Sequence, residues 1–227
     1  ISAQSTPLHG PLSEASTIGS FDIPYVSMLS IEQAIDKLAP KTNLSPDEIP
    51  NIFYVKCKKS VSYPLMLIFN RSLETCNIPF LWKHAFVKAI PKSKSNEISQ
   101  FRPISLTCTA SKIFEKVLIS DLIPHLEEKG LLDDRQAGFR PGRSCATQMS
   151  ETYGNYLNFH KNSIPFDTIY VDFRKAFDSI DHRILVRKLH DFDISPRIIN
   201  WIENYLSGRT QSVLISDCLS DPCPVLS

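Results

Sequence analysis

Three aspartates lie close together in YVDFRKAFDSIDH, residues 170–182. Asp172 lies near the end of FDTIYVDF, one residue before its last, Phe173. The β-branched and aromatic residues of this segment predict a buried strand, and a sheet holds a strand-end carboxylate rigidly. Mg²⁺ prefers oxygen ligands and is commonly held by one or two carboxylates with substrate phosphates. Asp172 is therefore a candidate metal ligand for phosphoryl transfer, and the alternative is that it only caps the turn after the strand. Asp178 and Asp181 are expected as turn and N-cap residues of the next helix.

Four cations upstream of these acids could contact phosphate. Lys92 closes the predicted strand AFVKAIPK, and Arg102 lies in FRPISLT, the strand expected to pair with it. Two cations on one face of such a hairpin would suit a triphosphate. QAGFRPGRS adds Arg140 and Arg143 beside two glycines, where the backbone can approach a phosphate closely. Taken singly, each cation has a simpler explanation as a solvated surface charge.

The composition is typical of a globular chain with a small net charge. Its 227 residues are 42% hydrophobic and carry a net charge of +1, so any nucleic-acid binding must come from local patches. The six cysteines are scattered without a close CxxC pair, so a disulfide framework is not expected. No apolar run approaches the roughly 18 residues of a membrane span, so a membrane partner is not expected.

The hydrophobic periodicity defines the elements that would position these residues. Ser30 and Gln33 fit a capping box at the start of the first helix, Gly130 and Gly208 are expected to end later helices, and Pro103 suits an edge strand. The predicted elements are helices at 30–38, 47–60 and 63–76, strands at 85–92 and 101–107, helices at 110–129 and 145–160, a strand at 166–173, helices at 183–192 and 196–207, and a strand at 210–216. This order predicts an α+β fold.

Three segments in register resemble one family. FRPISLTCTASKIFEKVL, QAGFRPGRS and YVDFRKAFDSIDH, in this order, are similar to the reverse transcriptase of non-LTR, LINE-like retrotransposons, and the resemblance spans about residues 30–227. It implies the fingers and part of the palm of a right-hand polymerase. The implied organisation is a loose lead-in at 1–29, a helical extension at 30–84, fingers at 85–165 and a partial palm at 166–227.

The resemblance also implies roles for the candidate residues. Asp172 would be the first metal-binding aspartate and the catalytic carboxylate of the palm. Lys92 and Arg102 would contact the incoming triphosphate. The implied reaction is RNA-templated DNA synthesis by two-metal nucleotidyl transfer, with an RNA template, a DNA primer, deoxynucleoside triphosphates and Mg²⁺ or Mn²⁺, inside the cell in the cytoplasm, the nucleus or both.

Aromatic and loop residues complete the implied site. Phe177 matches the aromatic that lies under the incoming sugar and disfavours a ribose 2′-hydroxyl. Phe173 is a second candidate nucleotide contact, although its opposite direction along the strand favours core packing. Arg140 and Arg143 match a segment that is expected to contact the template or its backbone.

The sequence departs from the family in two respects. It contains neither the PQG motif nor the paired aspartates that complete the metal site, so we expect a C-terminally truncated chain that makes no DNA alone, with Mg²⁺ or Mn²⁺ bound only when those carboxylates are supplied. Glu48 in KTNLSPDEIP replaces a glycine usual in the family, which puts the local turn in doubt. The alternatives are a non-catalytic nucleic-acid-binding remnant of a retroelement and a structural protein with chance motif matches.

Overall fold

The computed structural model describes residues 20–42, 45–91, 100–173, 175–216 and 218–225. Helices and strands in these ranges confirm the predicted mixture of α and β elements. The helices are α1 (Met28–Asp36), α2 (Asn51–Lys56), α3 (Lys58–Thr75), α4 (Thr109–Glu128), α5 (Cys145–Lys161), α6 (His182–Asp191) and α7 (Pro196–Leu206). The strands are β1 (His84–Pro91), β2 (Phe101–Leu106), β3 (Thr210–Ile215), β4 (Cys218–Leu219) and β5 (Cys223–Pro224), and a short 3-10 helix covers Phe80–Lys83.

An aromatic cluster joins distant helices into one core. Phe114 on α4 stacks on Phe69 of α3 with ring centroids 4.4 Å apart and planes 7° apart. Trp201 of α7 packs its edge against Phe114 at 5.0 Å, and Trp82 of the 3-10 helix lies 6.0 Å away. The indole N–H of buried Trp201 donates to the hydroxyl of buried Ser72 at 2.9 Å, so its polar atom is satisfied inside the core.

The helix ends follow local sequence rules, with one correction. Gly130 and Gly208 take positive φ angles of 62° and 60° immediately after or near the ends of α4 and α7, as predicted. Ser195 caps α7, which begins at Pro196, the predicted first residue of this helix. The prediction that Ser30 begins α1 was wrong, because the hydroxyl of Ser27 accepts the hydrogen bond from the Ser30 amide and the helix starts earlier.

A mixed sheet carries the predicted hairpin. The strand order is β2-β1-β3-β4, and β5 pairs with the other end of β3. β1 and β2 are antiparallel, whereas β1 and β3 are parallel. β2 is the edge strand, which accommodates Pro103 because an edge residue need not donate to a second neighbour. β1 and β3 come from either side of residue 165, where the fingers and partial palm were predicted to meet, and that boundary stays a prediction.

The strand predicted at 166–173 is not formed, and this is the main correction to the sequence-based fold. The segment is outside the sheet, and Ile169, Tyr170 and Val171 are largely exposed. A strand needs a hydrogen-bonded neighbour, and in the described part of the chain no strand is paired with these residues. The β-branched and aromatic residues therefore favour an extended strand locally, but none of the described strands pairs with this segment.

Candidate functional site

The β1–β2 hairpin presents a cationic face. Arg102 is paired with Ile90, and Lys88 is paired with Ile104. Because side chains two residues apart lie on the same face of a strand, these four residues share one face. Lys88 and Arg102 are exposed, as are the two isoleucines at 44% and 42%. The face therefore combines two positive charges with apolar surface.

Lys88 is a candidate that the motif-based prediction missed. Counting back along the strand in steps of two from the predicted cation Lys92 would have identified it, since Lys88, Ile90 and Lys92 alternate in the sequence. Lys92 itself lies outside the described residues. Strands β1, β2 and β3 contain no acidic residue, so the described face is not neutralised by its own sheet.

The segment containing GFRPGRS is fixed to α4 by Arg140. Its side chain is 5% exposed, and the guanidinium donates from Nε and Nη2 to the two carboxylate oxygens of Glu127, at 2.8 and 2.5 Å. Nη1 donates to the backbone carbonyl of Asp133 at 2.6 Å. These hydrogen bonds from Arg140 lower the pKa of the Glu127 carboxyl. Arg140 thus holds the loop in place, and its predicted template contact would compete with this pair.

The other cations of this loop are also paired. Arg143 donates from Nη2 to the Asp134 carboxylate at 2.9 Å. Arg135 binds the Asp133 carboxylate through Nε and Nη2, and these bonds hold the pKa of that carboxyl far below its usual range. The two loop arginines that the sequence suggested for phosphate, Arg140 and Arg143, are therefore balanced by neighbouring acids. Template binding by Arg143 stays a prediction.

Asp172 lies in the exposed segment before a turn at 175–179, which contains Asp178 as predicted. Asp181 caps α6 by accepting from the Arg183 amide at 2.8 Å, which confirms its predicted role. Phe173 is 76% exposed, so the expectation that it packs in the core was wrong. The strand that should have buried it is not formed.

The described residues do not form a divalent-metal site. No group of three or more His, Cys, Asp or Glu side chains in the described ranges could hold a metal ion. Asp172 supplies one carboxylate, whereas Mg²⁺ demands near-octahedral oxygen coordination. The predicted role of Asp172 as a metal ligand therefore requires oxygen ligands that these residues do not provide.

Two parts of the predicted site do meet, through aromatic rings. Phe139 of the GFR segment and Phe177 of the Asp172 segment lie edge to face, with centroids 6.3 Å apart and planes at 83°. They are 88% and 75% exposed. Phe139 was not among the predicted site residues, although its place between Gly138 and Arg140 was visible. Arg102 lies instead on the edge strand β2, on a different element from Asp172.

The model of the reverse transcriptase (RNA-dependent DNA polymerase) family matches residues 90–220, which include β2, the GFR segment, Asp172 and β3. The chain belongs to the reverse transcriptase family. This result removes the alternative of a structural protein with chance motif matches.

The curated relatives confirm the resemblance to non-LTR retrotransposons. A probable RNA-directed DNA polymerase from transposon X-element of Drosophila melanogaster is 25% identical to this chain. The alignment covers 88% of this chain and 22% of that protein. The probable RNA-directed DNA polymerase from transposon BS of the same species is 27% identical over 89% of this chain and 22% of its own length. The RNA-directed DNA polymerase of the mobile element jockey from Drosophila funebris is 23% identical over 86% of this chain, with 21% of its length covered.

The chain spans about a fifth of the length of the curated relatives it matches. The activity named for these relatives is therefore that of much longer proteins. Among the helices of the described ranges, none combines the length and the apolar character that crossing a bilayer would require.

Proposed function

We propose that this chain is the fingers and first part of the palm of a reverse transcriptase, and that it contributes to RNA-templated DNA synthesis. The single observation that carries the proposal is the exposed face shared by Lys88 and Arg102. Arg102 lies inside the segment that matches the family, and Lys88 lies two residues before it. Two cations without an acid on neighbouring strands suit the phosphates of a nucleotide or a template backbone.

The proposed substrates and partners are deoxynucleoside triphosphates, an RNA template and a DNA primer, met in the cytoplasm or the nucleus. Arg102, together with Lys92, contacts the triphosphate, and Lys88 extends that contact along β1. Arg140 and Arg143 contact the template only where nucleic-acid phosphate displaces their present carboxylate partners. Such displacement is costly for Arg140, because its buried guanidinium already has three hydrogen bonds.

Phe173, Phe177 and Asp172 are proposed to face the bound nucleotide. Phe177 lies against the sugar, and Phe173 is available for contact because it is not buried. Asp172 is proposed as the catalytic carboxylate and a ligand of Mg²⁺ or Mn²⁺ once further oxygen ligands are present. Since the described residues do not make that metal site, the two-metal mechanism is attributed to the complete polymerase and not to this chain.

RNA binding by the 227-residue chain tests the proposal. A fluorescent single-stranded RNA is titrated at several salt concentrations between about 50 and 200 mM, and affinity is read by anisotropy. Removing one phosphate contact by Arg102→Ala or Lys88→Ala should weaken binding and reduce the salt slope by about 0.7. Arg71→Ala, at a 75% exposed arginine of α3, is the matched loss of charge and should leave the slope unchanged.

Equal slopes for the wild type and for both hairpin variants would contradict the proposal. The remaining alternative, a nucleic-acid-binding remnant without catalysis, is favoured by one observation, namely that Asp172 has no metal-binding group around it in the described residues. It predicts the same binding results and differs only in the primer-extension outcome of the full polymerase.

A further inference from the structure

Phe139 occupies an unusual position for a large apolar residue. Its backbone is left-handed, with φ at 61°, a conformation that brings Cβ close to the following carbonyl oxygen in any L-residue. Its side chain is nevertheless 88% exposed. The residue therefore gains no burial in exchange for the steric cost of its backbone. Such outliers persist only where surrounding contacts fix them, and they cluster at functional sites.

The surrounding contacts are visible on the C-terminal side of Phe139. Arg140, the next residue, is buried and bound to Glu127 of α4 and to the carbonyl of Asp133. Arg143 is tied to Asp134. The loop is thus anchored to a long helix while its aromatic ring projects outward. Because the loop backbone is already anchored, a flat ligand that binds the ring pays less ordering cost than it would on a free loop.

Two surfaces flank the ring. On one side Phe177 presents an edge-to-face contact at 6.3 Å, which orients both rings without covering them. Phe139 also lines an open cavity of about 340 Å³, whose wall includes Ile119, Ile123 and Lys37. The charged residue in the described lining is this lysine, and no acid is found there. An apolar cavity with one cation at an aromatic ring fits a ligand that is flat, apolar on its faces and linked to an anion.

We propose that Phe139 is a stacking surface for a nucleobase. A nucleobase has two π faces, is attached to phosphate, and stacks on protein aromatics with little dependence on its identity. This inference deepens the proposed function and rests on it. The base belongs either to the single-stranded template or to the incoming nucleotide, and both sources share the chemistry that the ring recognises.

Probes that differ only in the presence of bases test the inference. One pair is a single-stranded RNA and an abasic strand of equal length and charge, and the other is a deoxynucleoside triphosphate and inorganic triphosphate. The 227-residue wild type should bind the base-containing member of at least one pair about fivefold more tightly or better. Phe139→Gly should abolish that preference and leave binding of the base-free member unchanged. The pair that responds identifies the source of the base.

Three further variants separate stacking from folding. Glycine accepts φ of 61° without the steric cost, so Phe139→Gly should have a thermal midpoint no lower than that of the wild type. Phe139→Asn also tolerates the left-handed conformation and lacks the aromatic ring, so it should lose the preference in the same way. Phe139→Trp should retain it. Phe80→Ala removes another largely exposed phenylalanine, at 79%, and should have no effect.

The possible failures are distinguishable. If Phe139→Gly and Phe139→Asn keep the wild-type preference while Arg102→Ala still flattens the salt slope, the stacking inference is wrong and the proposed function stands. If the wild type binds none of the four probes, both are wrong. If the wild type binds each base-free probe as tightly as its partner, bases are not recognised and the inference is overturned.

Discussion

At the scale of single residues, Glu48 has both an unusual residue type for its position and an unusual backbone conformation. The sequence carries an acid where the family usually has glycine, which put the turn in doubt. In the structure Glu48 is exposed, and its φ is 56°, within the left-handed region that favours glycine. Its amide donates to the carbonyl of Ser45 at 2.9 Å, so the turn forms despite the side chain. The strain is local and is borne by one residue.

Glu48→Gly should therefore stabilise the protein. Relief of the left-handed penalty exceeds the added flexibility of glycine, so the free energy of unfolding should rise by about 1 kcal/mol. For a chain of this size the thermal midpoint should rise by about 2–4 °C. Glu48→Ala removes the same charge and keeps Cβ, so it should give no such gain. A gain of equal size in the alanine variant would assign the effect to charge.

Arg140 is the second residue whose role the tertiary structure decided. Its bonds lower the pKa of the Glu127 carboxyl, so the pair stabilises the fold above the unfolded pKa of about 4.3. That stabilisation is lost as the pH falls through the lowered pKa in the folded state. Arg140→Ala should lower the thermal midpoint by several degrees at pH 7, and the difference from wild type should shrink towards pH about 3.

Arg140→Lys provides the matched control for this experiment. It keeps the positive charge and loses the two-pronged contact with Glu127, so its midpoint should lie between those of the wild type and the alanine variant. Circular dichroism at both pH values measures the three midpoints. A difference between wild type and Arg140→Ala that stays constant with pH would show that Glu127 is not the partner that matters.

At the scale of elements, local sequence signals are sufficient to predict the helices and the hairpin, whereas they are not sufficient for the segment 166–173. α7 has its N-cap at Ser195 and Pro196 at its first position, and the β1–β2 hairpin pairs strands that are close in sequence. These contacts need no distant partner. The predicted strand at 166–173 needed one, and its β-rich composition alone could not hold it in a sheet.

Packing between elements should make Phe114 the most costly side chain to shorten. It is fully buried and touches rings from α3, α7 and the 3-10 helix, so Phe114→Ala should lower the free energy of unfolding by about 3–5 kcal/mol. Urea denaturation measures this change. Ile119→Ala on the same helix removes a half-exposed side chain and should cost about 0.5 kcal/mol or less. Similar losses in the two variants would contradict the assigned core.

At the scale of the whole molecule, a packed core coexists with a large uncovered apolar surface. Helix α5 has no buried residue, and Met149, Tyr153 and Leu157 are exposed along it. Tyr156 of this helix stacks with Phe166, so α5 and the segment leading to Asp172 contact each other while both remain open to solvent. Exposed apolar surface of this extent marks an interaction surface or an aggregation liability.

The expected DNA synthesis activity depends on the segment that contains Asp172. Because the described residues place no group of three or more metal-binding side chains around Asp172, the 227-residue chain should give no measurable DNA synthesis with Mg²⁺ or Mn²⁺. Primer extension on an RNA template, with Asp172→Asn as the matched variant, measures this. Metal-dependent product that disappears in Asp172→Asn would overturn the expectation and show that the 227-residue chain suffices for the metal site.

The sequence by itself determined the family, the helices, the hairpin and the candidate cations, because motif spacing, capping residues and period-two alternation are local signals. Tertiary structure alone decided that Arg140 is a buried clamp, that 166–173 stays outside the sheet, and that Phe139 meets Phe177. These outcomes depend on which distant groups come into contact. Burial, ion pairing and strand pairing each require two groups in contact. A single stretch of sequence specifies only one of the two groups.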